Sequence, residues 1–168
     1  PCISNSNVYL CFLLFLLCIF LLSFVNTYAQ IIESQVWPSD AEAYDKFGRS
    51  SLSLDGLTAV IGAQHDSDNG ILAGAAYVFS YDENASSWRE VEDTKLLAIN
   101  GVEYDEFGCD VAIFGNTIIV GAKGDTENGL DDQTGYGAGV AYIFVKDGAT
   151  WEQKSKLLAP DGQAGDSF

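Results

Sequence analysis

The chain has 168 residues, 48% of them hydrophobic, and 24 acidic side chains face eight Lys and Arg for a net charge of −16. A surface this acidic repels nucleic-acid phosphate and anionic lipid, which sets both aside as partners; the plain reading is a solvated acidic surface that favours cations or basic partners. Every charged residue lies beyond residue 30, so the first thirty residues inflate the apolar share and the remainder is more polar than the total suggests.

The chain contains no Met, so Pro1 is not read as a translation start, and the sequence reads as a piece of a longer chain. Val8–Val25 is almost wholly apolar and is followed by Asn26-Thr27-Tyr28-Ala29-Gln30, with Thr27 and Ala29 where a signal peptidase reads before cutting. Residues 1–29 therefore read as a secretory signal peptide; a retained signal anchor is the alternative, because the run just reaches membrane-spanning length and no positive charge precedes it. Either way the rest of the chain is expected in the lumen or outside the cell. Cys2, Cys11 and Cys18 sit in this leader, which leaves Cys109, expected to be buried or paired and not a nucleophile.

Residues 30–44 are expected to supply the final strand of a preceding or closing unit, plus a connection. From there the chain repeats itself with a period of about 60 residues. Asp45 recurs at Asp105 and Asp166, Phe47-Gly48 at Phe107-Gly108, Gly62-Ala63 at Gly121-Ala122, Trp88 at Trp151, and Lys95–Ala98 at Lys156–Ala159. The divisions are thus 45–104, 105–165 and the opening of a third copy at 166–168.

Each copy predicts four strands. Leu52 and Leu54 alternate with Ser51 and Ser53 in a half-buried pattern, and a tight turn follows at Asp55-Gly56, with Gly115-Asn116 as counterpart. Counting back from Gly-Ala, the first copy has one extra residue near Ser50, the signature of a bulge. Thr58–Ile61 and Thr117–Val120 are apolar and β-branched, as strands covered on both faces would be. Ala75–Tyr81 and Val140–Val145 give the third strand, and the fourth runs from Trp88 or Trp151 to Leu-Leu-Ala. The fold class is all-β, a partial β-propeller of four-stranded antiparallel blades with about two full blades. Phe47, Tyr77, Phe79, Phe107, Tyr142 and Phe144 are expected to be core between blades, and Gly62 and Gly74 to mark close approaches.

The unit from Phe47-Gly48 to Gly62-Ala63, and its copy from Phe107-Gly108 to Gly121-Ala122, resemble the FG-GAP repeat of integrin alpha-chain propellers and of many secreted or surface proteins. The resemblance implies a seven-bladed propeller and an extracellular module for adhesion. It does not bring calcium ligands with it: integrin-type repeats hold Ca²⁺ in a loop between the FG and GAP strands, and here that place is taken by tight turns with at most one carboxylate.

Another loop does hold acids. Asp66, Asp68 and Asn69 precede Gly70, and Asp125, Glu127 and Asn128 precede Gly129, with Asp131 and Asp132 added. The first reading is a solvated turn, since Asp and Asn beside Gly are ordinary turn chemistry; the alternative is a Ca²⁺ site with Asp66, Asp68, Asp125 and Glu127 as ligands. Asp45, Asp105 and Asp166 are expected to accept backbone N–H bonds between blades. His65 is the only histidine, and no nucleophile–His–acid or phosphate-binding arrangement accompanies it. Asn84-Ala85-Ser86 is a glycosylation sequon in the expected third turn. The functional expectation is a secreted or cell-surface module that binds protein or glycan and is not an enzyme; the alternative is the accessory propeller of a secreted hydrolase whose catalytic domain lies elsewhere. No cofactor other than Ca²⁺ is expected.

Overall fold

The computed structural model describes residues 34–126 and 137–168, and the regular structure within them is entirely β. The leader with Cys2, Cys11 and Cys18, and the loop positions Glu127, Asn128, Gly129, Asp131 and Asp132, lie outside the described residues. Among the described residues no helix is long and apolar enough to cross a membrane.

Eight strands follow one another: β1 Leu52–Asp55, β2 Thr58–Ala63, β3 Ala75–Asp82, β4 Ser87–Leu96, β5 Phe107–Phe114, β6 Thr117–Ala122, β7 Val140–Asp147 and β8 Thr150–Leu158. They form two antiparallel four-stranded sheets, β1-β2-β3-β4 and β5-β6-β7-β8, each in chain order. These are two blades of a partial propeller. The β-branched runs at Thr58–Ala63 and Thr117–Ala122 become the second strand of each blade, where such side chains pack well on a pleated surface.

The core lies on both faces of the first blade. Val60, Ala76, Val78 and Leu96 face the second blade's Phe107, Val111, Ile118, Val120, Tyr142 and Phe144 in one cluster. On the opposite face Ala59, Ile61, Tyr77 and Phe79 form a second cluster, covered by Val36, Phe47, Trp88 and Leu97. The aromatics meet edge-on, as their quadrupoles favour: Phe47 lies 5.7 Å from Tyr77, and Phe107 repeats the contact at 5.4 Å from Tyr142.

The blades are also joined through backbone. Phe107 donates its N–H to the Ala73 carbonyl at 2.9 Å, and Phe168 does the same to Ala138 at 2.8 Å. The approach is so close that a Cβ on Gly74 would meet the Phe107 carbonyl oxygen at 2.0 Å, and one on Gly62 would meet that of Gly108 at 2.0 Å. Those glycines have no room for any other residue.

Within the described part of 30–44, Ser34–Trp37 has no strand partner among the described residues. The extra residue near Ser50 does bulge. Gly48 N–H bonds the Gly62 carbonyl at 2.9 Å and Gly62 N–H bonds the Ser51 carbonyl at 3.2 Å, leaving Arg49 and Ser50 between. The second blade has its own register shift in β5 between Phe107 and Asp110. Two expectations need correction. The hairpin loop is Gly56-Leu57, one residue later than expected, because Asp55 pairs with Thr58 as Phe114 pairs with Thr117. Only the glycine of each loop has positive φ, +56° at Gly56 and +57° at Gly115, which is the II′ pattern. Finally, β6 is covered on one face only, with Ile119 exposed where its counterpart Val60 is buried, because the second blade's far face has no sheet packed on it among the described residues.

The alternation in β1 is present with its sense reversed. Leu52 and Leu54 are exposed, while the polar set turns to the second blade. Ser51 Oγ donates to the Gly108 carbonyl at 2.9 Å, Ser53 Oγ accepts the Ile113 N–H at 3.1 Å, and Asp55 Oδ2 accepts the Gly115 N–H at 2.5 Å.

Candidate functional site

The β2–β3 loop leaves Ala63 with its chain turned back on itself: Asp66 N–H bonds the Ala63 carbonyl at 3.0 Å, and Gly74 N–H bonds the Asp66 carbonyl at 2.9 Å. This pins Asp66 at the end of the sheet, over Tyr77. In the ladder Tyr77 stands opposite Lys95, so the pairing of β3 with β4 delivers a phenol and an ammonium to the same spot. Asp40, from the irregular segment ahead of the first blade, closes the group.

The resulting geometry is tight. Lys95 Nζ lies 2.7 Å from Asp40 Oδ2, 2.8 Å from Asp66 Oδ2 and 2.6 Å from Asp68 Oδ2. Asp40 and Asp68 accept hydrogen bonds from this ammonium, and Asp66 faces it as an ion pair. Tyr77 Oη lies 2.8 Å from both Asp40 Oδ1 and Asp66 Oδ2, and its single O–H serves the two in turn. The remaining Asp66 oxygen accepts the Asp68 N–H at 3.1 Å. Asp66 is buried, whereas Asp40 and Asp68 reach solvent.

The electrostatics follow. Burial alone would lower the Lys95 pKa, yet the three carboxylates outweigh it and hold the ammonium charged well above its ordinary range. Burial, helped by the neighbouring carboxylates, pushes the Tyr77 phenol up as well. At Asp40 burial acts to raise the pKa, but the bonds from Lys95 and Tyr77 prevail and lower it.

The second blade repeats the core of this arrangement. Tyr142 stands opposite Lys156 in the ladder, and its hydroxyl donates to Asp125 Oδ2. Lys156 Nζ lies 3.9 Å from Asp125 Oδ2 and 4.8 Å from the Tyr142 ring centroid, where the π face attracts a cation. Of the four acids proposed from sequence, the structure thus places Asp66 and Asp68 together and Asp125 in the equivalent place one blade on; Glu127 lies outside the described residues. Sequence reasoning missed Asp40 and Lys95, and it treated Tyr77 as a ring without regard to its hydroxyl.

The three recurring aspartates act on backbone. Asp45, Asp105 and Asp166 accept the N–H of Glu42, Val102 and Gln163 at 2.6, 2.7 and 2.8 Å. The carbonyls of Asp45 and Asp105 in turn accept His65 N–H at 3.1 Å and Gly124 N–H at 3.0 Å. One residue type therefore closes its own turn and anchors the loop that leaves the Gly-Ala strand of its own repeat. The FG-GAP repeat family model matches residues 33–79 and 88–144, which hold Phe47-Gly48 with Gly62-Ala63 and Phe107-Gly108 with Gly121-Ala122 respectively.

The chain belongs to the FG-GAP repeat family. No curated protein matches it beyond that. The calcium loop of integrin-type FG-GAP repeats has no place here, because the β1–β2 and β5–β6 connections are two-residue hairpins and the one carboxylate beside them, Asp55, is spent on Gly115.

A further group of titratable side chains of this FG-GAP pair lies at the blade junction. Lys46 Nζ donates to His65 Nε2 at 2.7 Å, and Glu106 Oε2 sits 4.0 Å from that nitrogen. Lys123 Nζ is 2.9 Å from Glu106 Oε2, an ion pair by distance without the angle of a hydrogen bond. Cys109 is unbridged and half-buried, and that burial raises its pKa and disfavours the nucleophilic thiolate. Asn84 is exposed in the turn between β3 and β4, where Asp82 Oδ1 accepts its N–H at 2.9 Å.

Proposed function

We propose that this FG-GAP chain is a secreted or cell-surface propeller module that binds an extracellular protein or glycan and carries out no catalysis of its own. One observation carries the reading. The β2–β3 and β6–β7 connections have the same frame, with Gly74 N–H on the Asp66 carbonyl at 2.9 Å and Gly139 N–H on the Asp125 carbonyl at 3.0 Å. What the frame holds differs, residues 64–74 in one blade and 123–139 in the other. Constant scaffold with divergent loops is how binding surfaces are built on repeated units. The apolar leader and the exposed Asn84 sequon support the extracellular route.

The test uses the full chain against an array of extracellular glycans and cell-surface proteins. Replacing residues between Asp125 and Gly139 by those between Asp66 and Gly74 keeps the frame and changes only what it presents. Folding is expected to survive and the binding profile to change. An unchanged profile in a folded swap would overturn the assignment of these loops to recognition.

A further inference from the structure

The family to which the chain belongs uses calcium in its integrin-type members, and the carboxylates at Asp40, Asp66 and Asp68 bring oxygens within 4.8 Å of one another. These residues do not fit a metal as they stand. Calcium takes about six to eight oxygens at roughly 2.3–2.6 Å, whereas the centre of this group is filled by Lys95 Nζ. We infer that Lys95 is the built-in cation of this site, an ammonium in the place a divalent ion would take, so that the blade is held together without metal.

Three observations converge on this. Asp40 and Asp68 accept charge-assisted hydrogen bonds from the ammonium at 2.7 and 2.6 Å, and Asp66 is ion-paired with it at 2.8 Å. The group ties three separate parts of the chain: the segment ahead of β1 through Asp40, the β2–β3 loop through Asp66 and Asp68, and the β3–β4 ladder through Tyr77 and Lys95. That is the work a structural ion does, which is to hold a loop to a sheet. The second blade repeats the core of the group: Lys156 lies 4.8 Å from the Tyr142 ring centroid and 3.9 Å from Asp125 Oδ2, where Lys95 lies 5.2 Å from the Tyr77 ring centroid and 2.8 Å from Asp66 Oδ2. An unpaired carboxylate as buried as Asp66 is costly, so loss of the ammonium leaves a site that demands another cation.

The inference is tested on the full chain at about 0.15 M salt, where diffuse binding to the acidic surface is screened. Terbium luminescence sensitised by Tyr77 and the calcium dependence of the melting temperature are measured for the wild type, Lys95→Ala, Asp66→Asn and the double variant. The wild type is expected to show no saturable terbium signal and no calcium shift that Asp66→Asn removes. Lys95→Ala is expected to melt several degrees lower, to acquire a terbium signal, and to regain part of its loss with calcium unless Asp66→Asn is also present. A saturable wild-type response abolished by Asp66→Asn would overturn the inference, as would a Lys95→Ala variant that keeps the wild-type melting temperature or that calcium fails to restore. Should Lys95→Ala not fold, the wild-type titration decides alone, with silence supporting the inference and a saturable, Asp66-dependent response overturning it.

Discussion

Tyr77 has two separate jobs, and they can be pulled apart. Its ring packs edge-on against Phe47, while its hydroxyl lies 2.8 Å from each of two carboxylates. Tyr77→Phe keeps the first and removes the second. Because hydrogen bonds to charged groups contribute about 1.5–3 kcal/mol, the variant is expected to unfold at lower denaturant with an unchanged slope and a loss in that range. A loss within about 0.5 kcal/mol would mean that only the ring matters. The ring was legible in the sequence, from its place in an apolar β-branched run. The hydroxyl was not, because Asp66, Tyr77 and Lys95 meet only through strand register, yet their joint recurrence as Asp125, Tyr142 and Lys156 is a signal that three unrelated core positions would not give. Asp40 left no such trace, since the residue at the matching place in the next repeat is Asn100.

At the level of strands and turns, two glycines with similar backbone make opposite predictions. Gly56 has φ +56° and open space where a Cβ would go, so Gly56→Ala bears only the left-handed backbone penalty of about 1–2 kcal/mol. Gly108 has φ +85° and would place its Cβ 2.1 Å from the Ala75 carbonyl oxygen. Neither backbone can yield without parting the blades, so Gly108→Ala is expected to cost on the order of 4 kcal/mol or to prevent folding, as read by thermal melts beside Gly56→Ala. Equal effects would show that the close approach is dispensable. The existence and order of the strands could be read from β-branched runs and their repetition. The sense of β1 could not, because alternation reports two faces without saying which is covered, and here the serines face the neighbouring blade through bonds to its backbone.

Across the whole molecule the joint between blades contains an acid-sensitive group. His65 follows β2, Lys46 and Arg49 precede β1, Glu106 precedes β5 and Lys123 follows β6, so three cations and one carboxylate surround the imidazole. Burial, then the Lys46 charge, lower its pKa from the ordinary 6.5. The unfolded chain therefore binds this proton more readily than the folded one. The stability His65 contributes is complete above about pH 6.5 and is lost as pH falls through the folded value. His65→Gln is expected to flatten that limb of the stability profile at pH values above those where carboxylates titrate, roughly 4, leaving the neutral-pH value little changed. An identical limb in the variant would place the sensitivity elsewhere.

The bonds from Phe107 to Ala73 and from Phe168 to Ala138 have a practical consequence for anyone dividing such a chain. The unit that recurs in the alphabet of residues starts at Asp45 or Asp105, but the unit that closes in space ends one step later, on the phenylalanine lent by its successor. A cut at the textual seam strips a blade of its clasp and leaves the successor holding it. Excision, permutation or grafting of one blade should therefore carry the following Phe-Gly along, so that each transplanted link arrives already fastened.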